Sequence, residues 1–235
     1  MKYYSLIITS LFLLVSFSAQ AQDVTLFESD TYDDNMVNIA PVKIDAGYIS
    51  LIVESKERNW EDPKMNPSSS FNKDFNYTYI PGENNVYLSK MDMDLNIIAE
   101  TKLSFDDAHD LNIYGMYTYG DKTTLYYSQR KNFNNEVYIY SMDIDTENLK
   151  NQKQRKIHTI KSRHGIPATR LIVSPDSTKL AFISERWLGD NDEVKLDIAL
   201  FNIQGTPIWS DPVYLDATSE RITITDAVVE NIGNI

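Results

Sequence analysis

The sequence predicts an all-β protein, an array of similar four-stranded antiparallel units laid out one after another. Two observations carry this. Helical periodicity is missing beyond the first twenty or so residues, where short or alternating apolar runs rich in Tyr, Ile, Val, Leu and Thr dominate. In addition, one strand-and-turn pattern recurs with the same residues at its joints. It reads Leu51-Ile-Val-Glu-Ser55 then Asn85-Val-Tyr-Leu-Ser-Lys-Met-Asp92, and again Leu125-Tyr-Tyr-Ser128 then Glu136-Val-Tyr-Ile-Tyr-Ser-Met-Asp143. A third copy reads Leu180-Ala-Phe-Ile-Ser184 then Leu196-Asp-Ile-Ala-Leu-Phe-Asn202.

Four-stranded units repeating at about 50 residues are the mark of β-propeller blades. The expected blades cover 37–104, 112–160 and 169–215. In the first, strands fall at Val37–Lys43, Tyr48–Ser55, Val86–Met91 and Ile97–Leu103. The second has Asn112–Tyr119, Thr123–Gln129, Val137–Met142 and Lys156–Ile160. The third has Arg170–Ser174, Lys179–Ser184, Leu196–Asn202 and Ile208–Tyr214. Asp45-Ala-Gly47, Gly120-Asp121 and Pro175-Asp176-Ser177 supply the tight turns. Spare strands at Val24–Glu28 and Ile222–Val228 leave three blades plus fragments, short of the four or more of a closed ring. Either the fragments complete a small fourth blade, or the chain is part of a longer propeller, or open edges pair between subunits.

The N-terminus reads as an export signal. Lys2 is followed by a mostly apolar run from Leu6 to Phe17 and a small-x-small site at Ala19-Gln20-Ala21. The expected mature domain is 22–235, periplasmic or secreted, with 1–21 removed. No cysteine follows the apolar run to take a lipid, and no later run is long and apolar enough for a membrane helix, so no membrane insertion is expected. With Cys 0 there is no thiol catalysis, thiolate zinc or iron–sulfur chemistry. The formal net charge of −12 disfavours nucleic acid as a partner.

Val173-Ser-Pro-Asp-Ser-Thr-Lys-Leu-Ala-Phe-Ile-Ser-Glu-Arg186 resembles the repeat of TolB-type β-propellers, a Ser-Pro-Asp-Gly turn, a Lys, an apolar strand and Ser-x-Arg. The segments ending in Met91-Asp92 and Met142-Asp143 resemble its continuation. Ser177 stands where that repeat has Gly, and only the third unit carries the Ser-Pro-Asp turn. The resemblance spans Val37 to Leu215 and implies a module that binds protein partners outside the cytoplasm.

The loops between second and third strands share a composition, a basic residue beside an aromatic. Arg58 and Trp60 stand in the first, Arg130 and Phe133 in the second, Arg186 and Trp187 in the third. Guanidinium forks and flat rings offer oriented contacts to a protein, peptide or glycan. Alternatively, each Arg ties neighbouring loops together. The first loop, Lys56 to Asn84, is far longer than a hairpin connection and carries Phe71, Phe75, Tyr77 and Tyr79; it is either a lid or a surface excursion. Asp92-Met-Asp-Leu-Asn96 and Asp143-Ile-Asp-Thr-Glu147 alternate oxygen groups as calcium loops do, without the Gly and distal Glu, and read equally as turns. His109, His158 and His164 lack metal-ligand spacing, no Gly-x-Ser-x-Gly is present and no carboxylate pair stands out. The expectation is therefore a non-catalytic binding or scaffolding module without cofactor or metal. A carbohydrate-active or peptide-hydrolysing propeller and a fragment of a longer propeller are the alternatives.

Overall fold

The computed structural model describes residues 36–54, 70–72, 77–81, 85–105, 110–131, 136–150, 153–161, 169–186, 194–215 and 228–231. The expected signal segment, both expected spare strands (save Val228) and most of the long first loop lie outside these residues.

Among the described residues fourteen strands run in chain order. The first sheet takes β1 (Met36–Ile44), β2 (Gly47–Glu54), β5 (Asn85–Met91) and β6 (Ile97–Lys102). The second takes β7 (Asp110–Tyr119), β8 (Lys122–Lys131), β9 (Glu136–Ile144) and β10 (Lys153–Lys161). The third takes β11 (Thr169–Val173), β12 (Lys179–Arg186), β13 (Val194–Asn202) and β14 (Pro207–Leu215). Each is an antiparallel meander, so the protein is a propeller-like array of three four-stranded blades, not closed into a ring. The two remaining strands, β3 (Ser70–Asn72) and β4 (Tyr77–Pro81), come from the long first loop. They form a hairpin that adds to the second sheet through β4 and β7. β1 of the first sheet lies beside β7 as well.

Period-two alternation explains how the sheets stack. Residues 123–129 of β8 are all buried, yet they divide between two cores. Leu125 and Tyr127 join Ile49, Leu51, Val53 and Leu88 of the first sheet. Tyr126, between them in sequence, joins Leu180, Phe182 and Phe201 of the third. The middle sheet is therefore apolar on both faces, as a blade between two blades requires. The first and second sheets each also receive a turn from the next one. Leu149, beyond β9, enters the first core, and Ile203, beyond β13, enters the second. Val229 packs on Ala181 and Leu200, on the far face of the third sheet.

The pairing register corrects one alignment. Tyr48, Leu125 and Leu180 sit opposite Met91, Met142 and Phe201 respectively. Tyr48 is thus the counterpart of Leu125 and Leu180, and Leu51 lies three residues further along. An odd shift reverses the face, which is why Leu51 packs toward the second sheet whereas Leu125 packs back toward the first.

The Ser-Pro-Asp turn has a local physical role. Ser174 Oγ donates to Asp176 Oδ1 at 2.7 Å and accepts from Lys179 N at 3.0 Å. Thr178 N donates to the same carboxylate at 3.0 Å. These bonds leave Ser177 at φ 55°, the left-handed region where glycine is the easier residue.

Candidate functional site

One register row on the forward face of each sheet decides how its neighbour is held. In the first sheet the row is Val42, Ile49, Lys90 and Ala99. In the second it is Gly115, Tyr126, Ser141 and Arg155, and in the third Ile172, Ala181, Leu200 and Trp209. The second row closes on the β13–β14 turn. The Tyr126 hydroxyl donates to the Ile203 carbonyl, and Arg155 Nη2 donates to the Gln204 carbonyl at 2.7 Å. Gly205 is packed against Ser141, where an added Cβ would lie 3.2 Å from its Oγ. Arg155 also faces Asp143 at 3.6 Å.

The first row lacks these two long side chains. Ile49 stands for Tyr126 and Ala99 for Arg155, so the β9–β10 turn is met by Lys90 Nζ, which donates to the Glu147 carbonyl at 3.4 Å. A groove of ≈ 880 Å³ opens beside Lys90, between the first hairpin and the β7–β8 and β9–β10 turns. One side is formed by Lys43, Asp45 and Ala46 of the first hairpin, with Lys90 and Met93. The other is formed by Thr118, Asp121 and Thr123 of the β7–β8 hairpin and by Asp145, Thr146 and Glu147. Thr118 and Thr123 bond to each other through their hydroxyls at 2.9 Å. Two ammonium groups and several carboxylates thus share one depression, and no aromatic ring lines it.

The acidic turns near the groove have their oxygens engaged. Asp92 Oδ1 accepts from the N–H of Asp94 and of Asn96, both at 2.9 Å. Asn202 Oδ1 does the same for Gln204 and Thr206, at 3.2 and 2.7 Å. A neutral amide filling the same place marks the pattern as turn closure. Leu95 at φ 67° and Gly205 at φ 76° occupy its equivalent left-handed positions. Hydrogen bonds from the Asn96 side chain and backbone hold the Asp92 carboxyl below its ordinary pKa. The Asn148 backbone N–H does this first for Asp145, whose Oδ1 it reaches at 3.1 Å. No group of three or more metal-ligating side chains occurs among the described residues. His158 packs edge-on against Phe201, with centroids 6.2 Å apart; burial lowers its pKa and Asp197 opposes that.

Arg58, Trp60, Phe133 and Trp187 lie outside the described residues. Arg130 and Arg186 are placed by backbone alone, at the ends of β8 and β12 that lead into the second-to-third strand loops. They are not register equivalents: Arg130 is opposite Val137, whereas Arg186 is opposite Lys195, one residue before Leu196, the counterpart of Val137. The groove lies at the other end of the sheets from these ends of β8 and β12. Sequence reasoning missed it because its walls come from turns distant in sequence, around residues 43–46, 90–93, 118–123 and 144–147, which only the stacking of the sheets brings together.

No protein-family model matches the chain, and neither a curated protein nor a solved structure matches it.

Proposed function

We propose that this chain is a non-catalytic binding or scaffolding module, built from blades resembling those of TolB-type propellers and exported from the cytoplasm. Its ligand is a polypeptide segment seated in the groove between the first and second sheets. The observation that carries this reading is the contrast between the two gaps. The β13–β14 turn is clamped by Tyr126 and Arg155, whereas the β9–β10 turn is met by Lys90 and lines an open groove. A groove bearing both ammonium and carboxylate groups suits a segment with side chains of both signs. The missing aromatic wall favours a peptide over a glycan.

The test is a random-peptide display screen against the immobilised protein, repeated with Ala46→Trp and Ala99→Arg. Ala46→Trp sets an indole at the groove mouth, on an exposed turn residue. Ala99→Arg copies the residue that closes the second gap. Peptides of mixed charge are expected from the native protein and are lost with both variants. Peptides retained by both variants would place binding elsewhere.

A further inference from the structure

The outer edges of the three sheets are not treated alike. β10 carries Lys153, Arg155 and Lys156, and β14 carries Pro207 and Pro212. Charges and prolines are the usual means of keeping an edge strand from pairing. β6 carries Glu100 and Lys102 in its second half but neither charge nor proline at its start. Ile97 and Ile98 are 39% and 55% exposed there, and Met93 in the preceding turn is 58% exposed.

The backbone of β6 is presented for pairing. Leu103 N donates to the Val86 carbonyl at 2.8 Å, and Thr101 lies opposite Leu88, so residues 101 and 103 direct their backbone groups inward to β5. Glu100 and Lys102, the alternate residues, therefore turn their N–H and C=O outward. The geometry points to a second copy of this chain as the occupant, paired antiparallel through β6 about a two-fold axis at Thr101.

Charge selects that register. An outward residue must oppose an outward residue, so the axis passes through a residue. An axis at Glu100 sets Glu100 against itself, and an axis at Lys102 does the same for Lys102. An axis at Ala99 opposes Ile98 to Glu100. Only the axis at Thr101 places Glu100 opposite Lys102 of the other copy, twice, each pair exchanging both backbone hydrogen bonds. Both side chains are exposed, and Glu100 is steadied by Ser89 Oγ, which donates to it at 2.8 Å. Such pairing joins two first sheets edge to edge and covers the apolar start of β6 on each.

The absence of cysteine makes the test sharp. At the axis the two Thr101 residues form a non-hydrogen-bonded pair, with Cα atoms about 4.5 Å apart, within disulfide reach. Thr101→Cys is expected to give a covalent dimer under mild oxidation, and Ala99→Cys is not. Light scattering at physiological ionic strength is expected to show twice the chain mass. Lys102→Glu weakens the dimer roughly tenfold, and adding Glu100→Lys restores it. A monomeric protein, whose edge would then serve a different chain, overturns the inference. So does equal cross-linking at 99 and 101, or a dimer indifferent to the charge exchange.

Discussion

Replacing Phe182 by alanine is expected to cost about 3–5 kcal/mol, the usual range for emptying a buried aromatic site. Phe182 is 1% exposed and lies on the face of β12 that packs against the second sheet. Its ring meets Tyr114 edge-on at 5.3 Å, Phe201 at 6.0 Å and Tyr126 at 6.2 Å. Two of these partners belong to the second sheet, so the loss falls on contact between blades as much as on the third blade. The residue is also one turn of logic away from the clamp, because Tyr126 both touches this ring and holds the Ile203 carbonyl. Phe182→Leu, which keeps most of the volume, should cost about 1.5 kcal/mol or less. Urea titration separates them through the midpoint, with the slope unchanged. A loss below about 1 kcal/mol for Phe182→Ala would mean that the two sheets do not pack through this face.

Gly47→Ala is expected to be comparably harmful, at about 3 kcal/mol or more, since a strained backbone and a steric clash add. Gly47 opens β2 at φ 138°, a conformation that residues with a Cβ rarely adopt. An added methyl would lie 2.0 Å from the Met91 carbonyl oxygen and 2.9 Å from the Asp92 carbonyl carbon. Backbone is the obstacle there, so the hairpin itself must shift. Gly120→Ala is the control. Gly120 also has positive φ, 62°, but nothing lies within 4 Å of its added Cβ, so the cost should be the left-handed penalty alone, about 1–2 kcal/mol. Thermal unfolding of the two variants should rank Gly47→Ala well below Gly120→Ala. Asp45 and Ala46, immediately before Gly47, belong to the first side of the groove, so the same variant displaces the proposed binding surface.

Much of the fold was legible in the sequence, because blade strands are short, alternating and bounded by turn residues. All twelve expected blade strands occur within a few residues of their expected limits. The Leu51 alignment failed for a physical reason. Apolar residues occupy both faces of β2, whose residues Ile49 to Val53 are all buried, so no polar face marked the register. The β3–β4 hairpin was missed because its strands are short, in a loop where Pro63, Pro67 and Ser68-Ser-Ser70 read as strand breakers, and its partner β7 is distant in sequence. Phe71, Tyr77 and Tyr79, the aromatics that made that loop conspicuous, lie on the hairpin strands. The groove left the faintest trace, because its walls are turn residues from four separate stretches of the chain that meet only once the first two sheets stack.

The most direct measurement is photo-cross-linking in the producing cell, with a benzophenone side chain placed at Met93 on the groove wall. A second protein carries the probe at Ser210, exposed on the outer strand of the third sheet. The binding account predicts a discrete adduct from position 93 that Ala46→Trp abolishes and that position 210 does not give. No adduct from position 93, or the same adduct from both positions with and without Ala46→Trp, would contradict it.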